Sequence, residues 1–117
     1  MDGQNTNGRL GWTKVRNLGV VKAVIKKDAT QRYTYRNNKK CCVIGGLIKN
    51  ARIPFPELAQ NTTSVGLLPT TILSPLMNHY EMSLPELVEL QKINDLYYTT
   101  KQRRKALLLR VNQLEHE

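Results

Sequence analysis

Apolar positions along this chain change their spacing twice. From Leu18 to Lys27 the sequence is rich in Val and Ile, Asp28-Ala29-Thr30 offers a turn, and Arg32 to Arg36 alternates strictly. Asn37-Asn38 supplies a second turn before Lys40–Ile48, another run dominated by small and branched apolar residues. The pattern predicts a three-stranded antiparallel meander. Residues 49–82 contain Pro54, Pro56, Pro69 and Pro75 and predict a Pro-punctuated connector. Within it, Ser74-Pro75 suits an N-cap and first helical position, so a short helix is expected to run to about Tyr80.

The spacing then becomes helical. Ser83-Leu84-Pro85-Glu86 has the form of a capping box, which starts a helix at Leu84. Beyond Pro85 there is no Gly or Pro, and Leu90, Ile93, Tyr97, Leu107, Val111 and Leu114 keep one heptad register whose missing members are Thr100 and Arg104. A single helix over 84–117 would be about 50 Å long at roughly 1.5 Å per residue, whereas a compact chain of this size is only about 35 Å across. The segment is therefore one overhanging helix, or a hairpin broken at Tyr98–Lys101 and capped by Thr99 or Thr100. The fold expected is α+β, with a small antiparallel β-meander, the connector, and a long C-terminal helix or helical hairpin. A flexible arm over 1–11, anchored by Trp12 and Val15, precedes a single basic domain over 12–117. The six register residues are the expected oligomerisation stripe, and a homo-oligomer is the expected state.

Charge adds a partner to this picture. Of 117 residues, 18 are Lys or Arg and nine are Asp or Glu, for a net charge of +9. The imbalance is concentrated, because residues 1–52 hold twelve cations against Asp2 and Asp28, while residues 53–91 hold four Glu and no cation. Such a surplus attracts polyanions by counterion release, which points to nucleic acid, RNA or DNA. On the expected sheet, Lys22, Lys26, Arg32 and Arg36 share one face and Val21, Ile25, Tyr33 and Tyr35 the other. Cations and rings on opposite faces suit phosphate contacts better than base stacking, so Tyr33 and Tyr35 belong to the core. Lys27, Lys39 and Lys40 extend the cationic set, and Lys101, Arg103, Arg104 and Lys105 form a second cluster beside Leu107-Leu108-Leu109.

Other chemistry has little support. No glycine-rich phosphate loop is present, the aspartates Asp2, Asp28 and Asp95 are widely spaced, and His79 and Glu81 lie in a segment of poor periodicity. A non-enzymatic protein without metal or cofactor is expected. Adjacent Cys41 and Cys42 would make a strained disulfide, which favours a reducing compartment, with one thiol buried and one exposed. The start of the chain lacks a secretory pattern and no apolar run spans a membrane, so Asn61-Thr62-Thr63 is read as an accidental glycosylation sequon. An intracellular (cytoplasm or nucleus) or virion location is expected. The function expected is sequence-tolerant nucleic-acid binding through phosphates. The alternative is a structural or assembly component of a virion or ribonucleoprotein particle whose basic surface contacts acidic proteins.

Overall fold

A computed structural model describes residues 16–32, 35, 40–55 and 64–117. Among them are five α-helices and no strand: α1 Gly19–Lys27, α2 Val43–Asn50, α3 Thr70–Tyr80, α4 Leu84–Leu96 and α5 Thr100–Glu115, with a 3-10 turn at Val65–Leu67 before α3. The α+β expectation is overturned. Two of the three predicted strands are helices, and Tyr33, Thr34 and Arg36 of the third, like the Asn37-Asn38 turn, the 1–11 arm and its anchors Trp12 and Val15, lie outside the described residues.

Packing outweighs β-propensity in both misread segments. Leu18, Val21, Val24 and Ile25 fall on one face at helical spacing and are buried, while Lys26 and Lys27 occupy the exposed last turn. Helix α2 is buried all round from Val43 to Ile48, as a core helix of eight residues can be. Cys42 is its N-cap, with Sγ accepting from the Gly45 amide at 3.4 Å. Both thiols are free and buried, contrary to the expected exposed one, and burial pushes the Cys42 thiol up to about 12.

Glycine sets the approach of α2 to its neighbours. A Cβ on Gly45 would lie 1.9 Å from the Tyr35 carbonyl oxygen, and one on Gly46 would lie 2.8 Å from Asp28 Cβ and 3.0 Å from Val24 Cγ1. The chain at Tyr35 and the end of α1 therefore press directly on the helix backbone. Tyr35 is buried, as its place in the alternation implied, and it meets Phe55 edge-on at 5.6 Å.

Helix α3 starts four residues before the expected N-cap Ser74 and carries Pro75 in its interior. Pro69 fixes the entry, with its carbonyl accepting from the amides of Ile72 and Leu73. Thr71 and Pro75 are both exposed, so the carbonyl that Pro75 cannot bond stands on the solvent side. The capping box of α4 is complete: Glu86 N donates to Ser83 Oγ at 3.3 Å and Ser83 N donates to Glu86 Oε1 at 2.9 Å.

The C-terminal region is a helical hairpin. Thr99 caps α5 by accepting from Gln102 N at 3.2 Å. Leu90, Leu107, Val111 and Leu114 are sealed in the chain's own core, Ile93 is half-buried against it, and Tyr97 is half-buried in the turn. The expected intermolecular seam is thus an intramolecular one. The stripe that α4 buries is Leu87, Leu90, Gln91 and Asn94, half of it amide. Those amides hold neighbouring backbone in place. Asn94 Oδ1 accepts from Val43 N at the start of α2, and Asn94 Nδ2 donates to Gln31 O, both at 2.9 Å. Gln91 Oε1 accepts from Val65 N at 2.8 Å, and its Nε2 donates to the Tyr35 hydroxyl. Buried amides with satisfied partners fix one arrangement where leucines would leave several.

Helices α1 and α4 both run antiparallel to α5, which places the end of α5 beside their starts. Arg16 donates to Glu86 and to the Glu81 carbonyl, each at 2.6 Å, and Leu18 N donates to Glu115 Oε2 at 2.8 Å. Lys22 pairs with the same Glu115, and Arg110 bridges Glu89 and Glu117. Burial resists ionisation of Glu86, yet Arg16 and the Ser83 amide hold its carboxyl below the usual value; Lys22 and the Leu18 amide do so for Glu115. Depressed folded-state values stabilise the protein above the unfolded pKa of about 4.3 and lose that contribution as pH falls through them. Thermal melts should therefore be flat from pH 7 to about 5 and drop below about pH 4. The combined Glu86→Gln and Glu115→Gln variant should start lower and decline less steeply in acid; parallel curves would show that these carboxylates do not drive the loss.

Candidate nucleic-acid interface

The pairing just described neutralises one end of the helical stack and leaves the other end cationic. At the far end α1 finishes in Lys26 and Lys27, both exposed, and the chain turns through Asp28 and Ala29 onto the first turns of α5. Ala29 takes the left-handed conformation at φ 60°, and both of its neighbouring carbonyls on the helix side are held by α5. Arg104 Nε donates to Asp28 O at 2.9 Å and its Nη2 to Lys27 O at 3.2 Å. These carbonyls are the open end of a helix, where guanidinium donors and positive charge are both favoured.

Arg103 stands one residue earlier and does a different job. It is 2 % exposed, and its guanidinium donates to the carbonyls of Asn94, Ala29, Tyr97 and Tyr98 at 2.9–3.1 Å, tying the α4–α5 turn to the end of α1. Burial, then repulsion from Arg32 and Arg104, lowers its pKa from the ordinary arginine value.

The other sequence-predicted cations are distributed as follows. Lys101 and Lys105 are exposed one turn apart on one face of α5. Arg32 is half-buried, with its guanidinium 5.5 Å from the ring centroid of Tyr98, which is 82 % exposed. Lys40 is exposed beside the Thr30–Cys41 backbone pairing. Lys22 belongs to the opposite end with Glu115, and Arg103 is consumed in the interior, so neither joins the surface cluster. Arg36 and Lys39 lie outside the described residues. The structure thus brings together Lys26, Lys27, Lys101, Arg104 and Lys105, drawn from both halves of the sequence.

Two cations that the sequence pattern did not single out complete the cluster. Lys49 in the last turn of α2 places Nζ 3.1 Å from Asp28 Oδ1, and Arg52 follows at the end of the same helix. Once the segment is read as a helix, both fall at its C-terminus, a favoured place for basic residues; a strand reading hides that signal. The acidic residues at this end are Asp28, whose carboxylate is buried and already engaged by Lys49, and Asp95, which accepts from Asn94 Nδ2. Five other acidic residues, Glu81, Glu86, Glu89, Glu115 and Glu117, gather with Arg16, Lys22 and Arg110 at the opposite end.

Among the described residues no three His, Cys, Asp or Glu side chains come together as metal ligands, and no helix is long and apolar enough to cross a membrane. His79 sits edge-on to Tyr80 at 4.7 Å, and Tyr80 OH donates to Leu47 O, a packing role for that ring pair. Comparison with family models, with curated proteins and with solved structures finds no match to this chain.

Proposed function

We propose that the protein binds nucleic acid with little sequence preference, through phosphate contacts made by Lys26, Lys27, Lys101, Arg104 and Lys105. The observation that carries this reading is the segregation of charge. Acidic residues are paired with Arg16, Lys22 and Arg110 at one end of the stack, while at the other end Lys26, Lys27, Lys101 and Lys105 are exposed beside a half-buried Arg104, and the two carboxylates there, Asp28 and Asp95, are engaged by Lys49 and Asn94. Cations on two helix ends form a ridge that can follow a phosphate backbone, a mode of contact that carries little sequence information. Tyr98 supplies an exposed ring on which an unpaired base can stack beside Arg32. Tyr35 is in the core and is no stacking platform.

Five phosphate contacts would give log affinity a slope of about −4.5 on log salt for duplex DNA, at roughly 0.9 per phosphate. Replacing Lys101 and Lys105 together by Ala should reduce the slope to about −2.7 with no change in melting temperature, since both side chains are exposed. Fluorescence anisotropy against salt, with unrelated DNA and RNA probes, is the measurement. Absence of binding at low salt would overturn the reading and turn the basic end toward acidic proteins of an assembly.

A further inference from the structure

Between the ends of α1 and α2 lies a groove of about 430 Å³ lined by Ala23, Val24, Lys27, Asp28, Lys49, Asn50 and Arg52. We propose that this groove is a discrete binding site for one nucleotide phosphate, belonging either to a free nucleotide or to the terminal nucleotide of a strand. It deepens the nucleic-acid reading, and rests on that reading for the choice of a nucleotide over other phosphorylated compounds.

Three features carry the proposal. The first is convergence: Lys27, Lys49 and Arg52 reach the groove from two helix ends and meet one carboxylate, Asp28, which Lys49 already engages. Among the described residues neither Lys27 nor Arg52 has an ion-pair partner. The volume is that of a small-ligand pocket and far exceeds a bare phosphate, while Ala23 and Val24 offer an apolar floor for the rest of a nucleotide.

The second feature concerns what these cations are not needed for. Basic residues at helix C-termini ordinarily serve the unpaired carbonyls there. Here five carbonyls at the two helix ends have other donors. Arg104 takes those of Lys27 and Asp28. The amides of Arg52 and Ile53 take those of Lys49 and Ile48, and Tyr80 OH takes that of Leu47.

The third is the backbone of Arg52. Its φ of 58° is left-handed, and its amide and that of Ile53 close the helix in the 5→2 and 6→1 pattern whose left-handed position is usually glycine. Arginine at such a position costs stability relative to glycine, so the side chain that Arg52 brings to the groove stands in conflict with the local backbone preference.

That conflict supplies the test. An oligonucleotide with a terminal phosphate and the same oligonucleotide with a terminal hydroxyl are titrated against the protein, alongside a free mononucleotide and inorganic phosphate. The unmodified protein should prefer the phosphorylated end by about tenfold. Arg52→Gly should bring that ratio to about one and raise the melting temperature by a few degrees, whereas Lys101→Ala with Lys105→Ala should weaken both probes and keep the ratio. Saturable mononucleotide binding with loss in Arg52→Gly assigns the groove to free nucleotides, and a preference confined to the oligonucleotide assigns it to strand ends. Equal affinity for both ends without mononucleotide binding, or a ratio unchanged in Arg52→Gly, overturns the site while leaving the basic ridge intact. If neither oligonucleotide binds, the ridge fails, and the mononucleotide titration decides the groove alone.

Discussion

Arg103→Leu should destabilise the protein by about 4 kcal/mol and lower its melting temperature by 15 °C or more. The guanidinium is the donor for four carbonyls, those of Asn94, Ala29, Tyr97 and Tyr98. Leucine fills part of the volume and supplies no donor. Each buried acceptor left alone costs about 1–3 kcal/mol, and those that recover water in the relaxed turn bring the total below the plain sum. Arg103→Lys keeps the charge but replaces a planar fork by a point donor, so an intermediate loss of about 2 kcal/mol is expected. Urea denaturation of the three proteins measures it. Should Arg103→Leu remain as stable as the unmodified protein while losing nucleic-acid affinity, Arg103 is a surface contact and the turn is held by something else.

Gly45→Ala should be comparably damaging, by about 3 kcal/mol, despite the better helix propensity of alanine. The added methyl carbon would stand 1.9 Å from the Tyr35 carbonyl oxygen and 2.7 Å from its carbon, so backbone must move away from backbone. Moving it disturbs the Tyr35–Gln91 hydrogen bond and the edge-on contact with Phe55. Gly46→Ala meets side-chain carbons of Asp28 and Val24 and should cost about 1 kcal/mol. Gly66→Ala, with its nearest neighbour at 3.8 Å, should be close to neutral. Melting temperatures in the order Gly66→Ala, Gly46→Ala, Gly45→Ala check the packing of α2; a stable Gly45→Ala protein would mean that Tyr35 does not lie against it.

The C-terminal half of the fold was legible because its signals are local. The Ser-x-x-Glu capping box specifies backbone hydrogen bonds within three residues and forms, and of the alternatives left open, one helix or a hairpin capped by Thr99 or Thr100, the structure has the hairpin with Thr99 as cap. The N-terminal half is harder to read because the branched residues of Leu18–Lys27 and Lys40–Ile48 favour strands while their spacing favours helices. Leu18, Val21, Val24 and Ile25 already carry the helical period, and the Gly45-Gly46 pair that weakens a helix in isolation is what lets this one sit in the core. On α4 the reading followed Leu90, Ile93 and Tyr97, while the buried face is Leu87, Leu90, Gln91 and Asn94. Amides count as polar in any hydrophobic pattern, so a face built half of them is invisible to it.

The candidate site was legible as a composition and not as a constellation. The charge excess named Lys26, Lys27, Lys101, Arg104 and Lys105, but only the antiparallel packing of α1 on α5 brings the two groups together. The same pattern could not tell Arg103 from Arg104. Adjacent arginines on a helix point about 100° apart, and which one faces inward depends on where the α4–α5 turn leaves its carbonyls. Lys49 and Arg52 went unmarked because their position has meaning only at the end of a helix.

Among the described residues, the separation of charge between the two ends also amounts to an electric dipole along α1 and α5. Near a polyanion such a particle experiences a torque before it experiences contact, and rotates so that Lys26, Lys27, Lys101 and Lys105 lead. Successive copies arriving on one strand would share that orientation and present the end bearing Arg16, Glu86 and Glu115 outward. A coated strand would then show its surroundings a mildly acidic protein surface in place of its own phosphates.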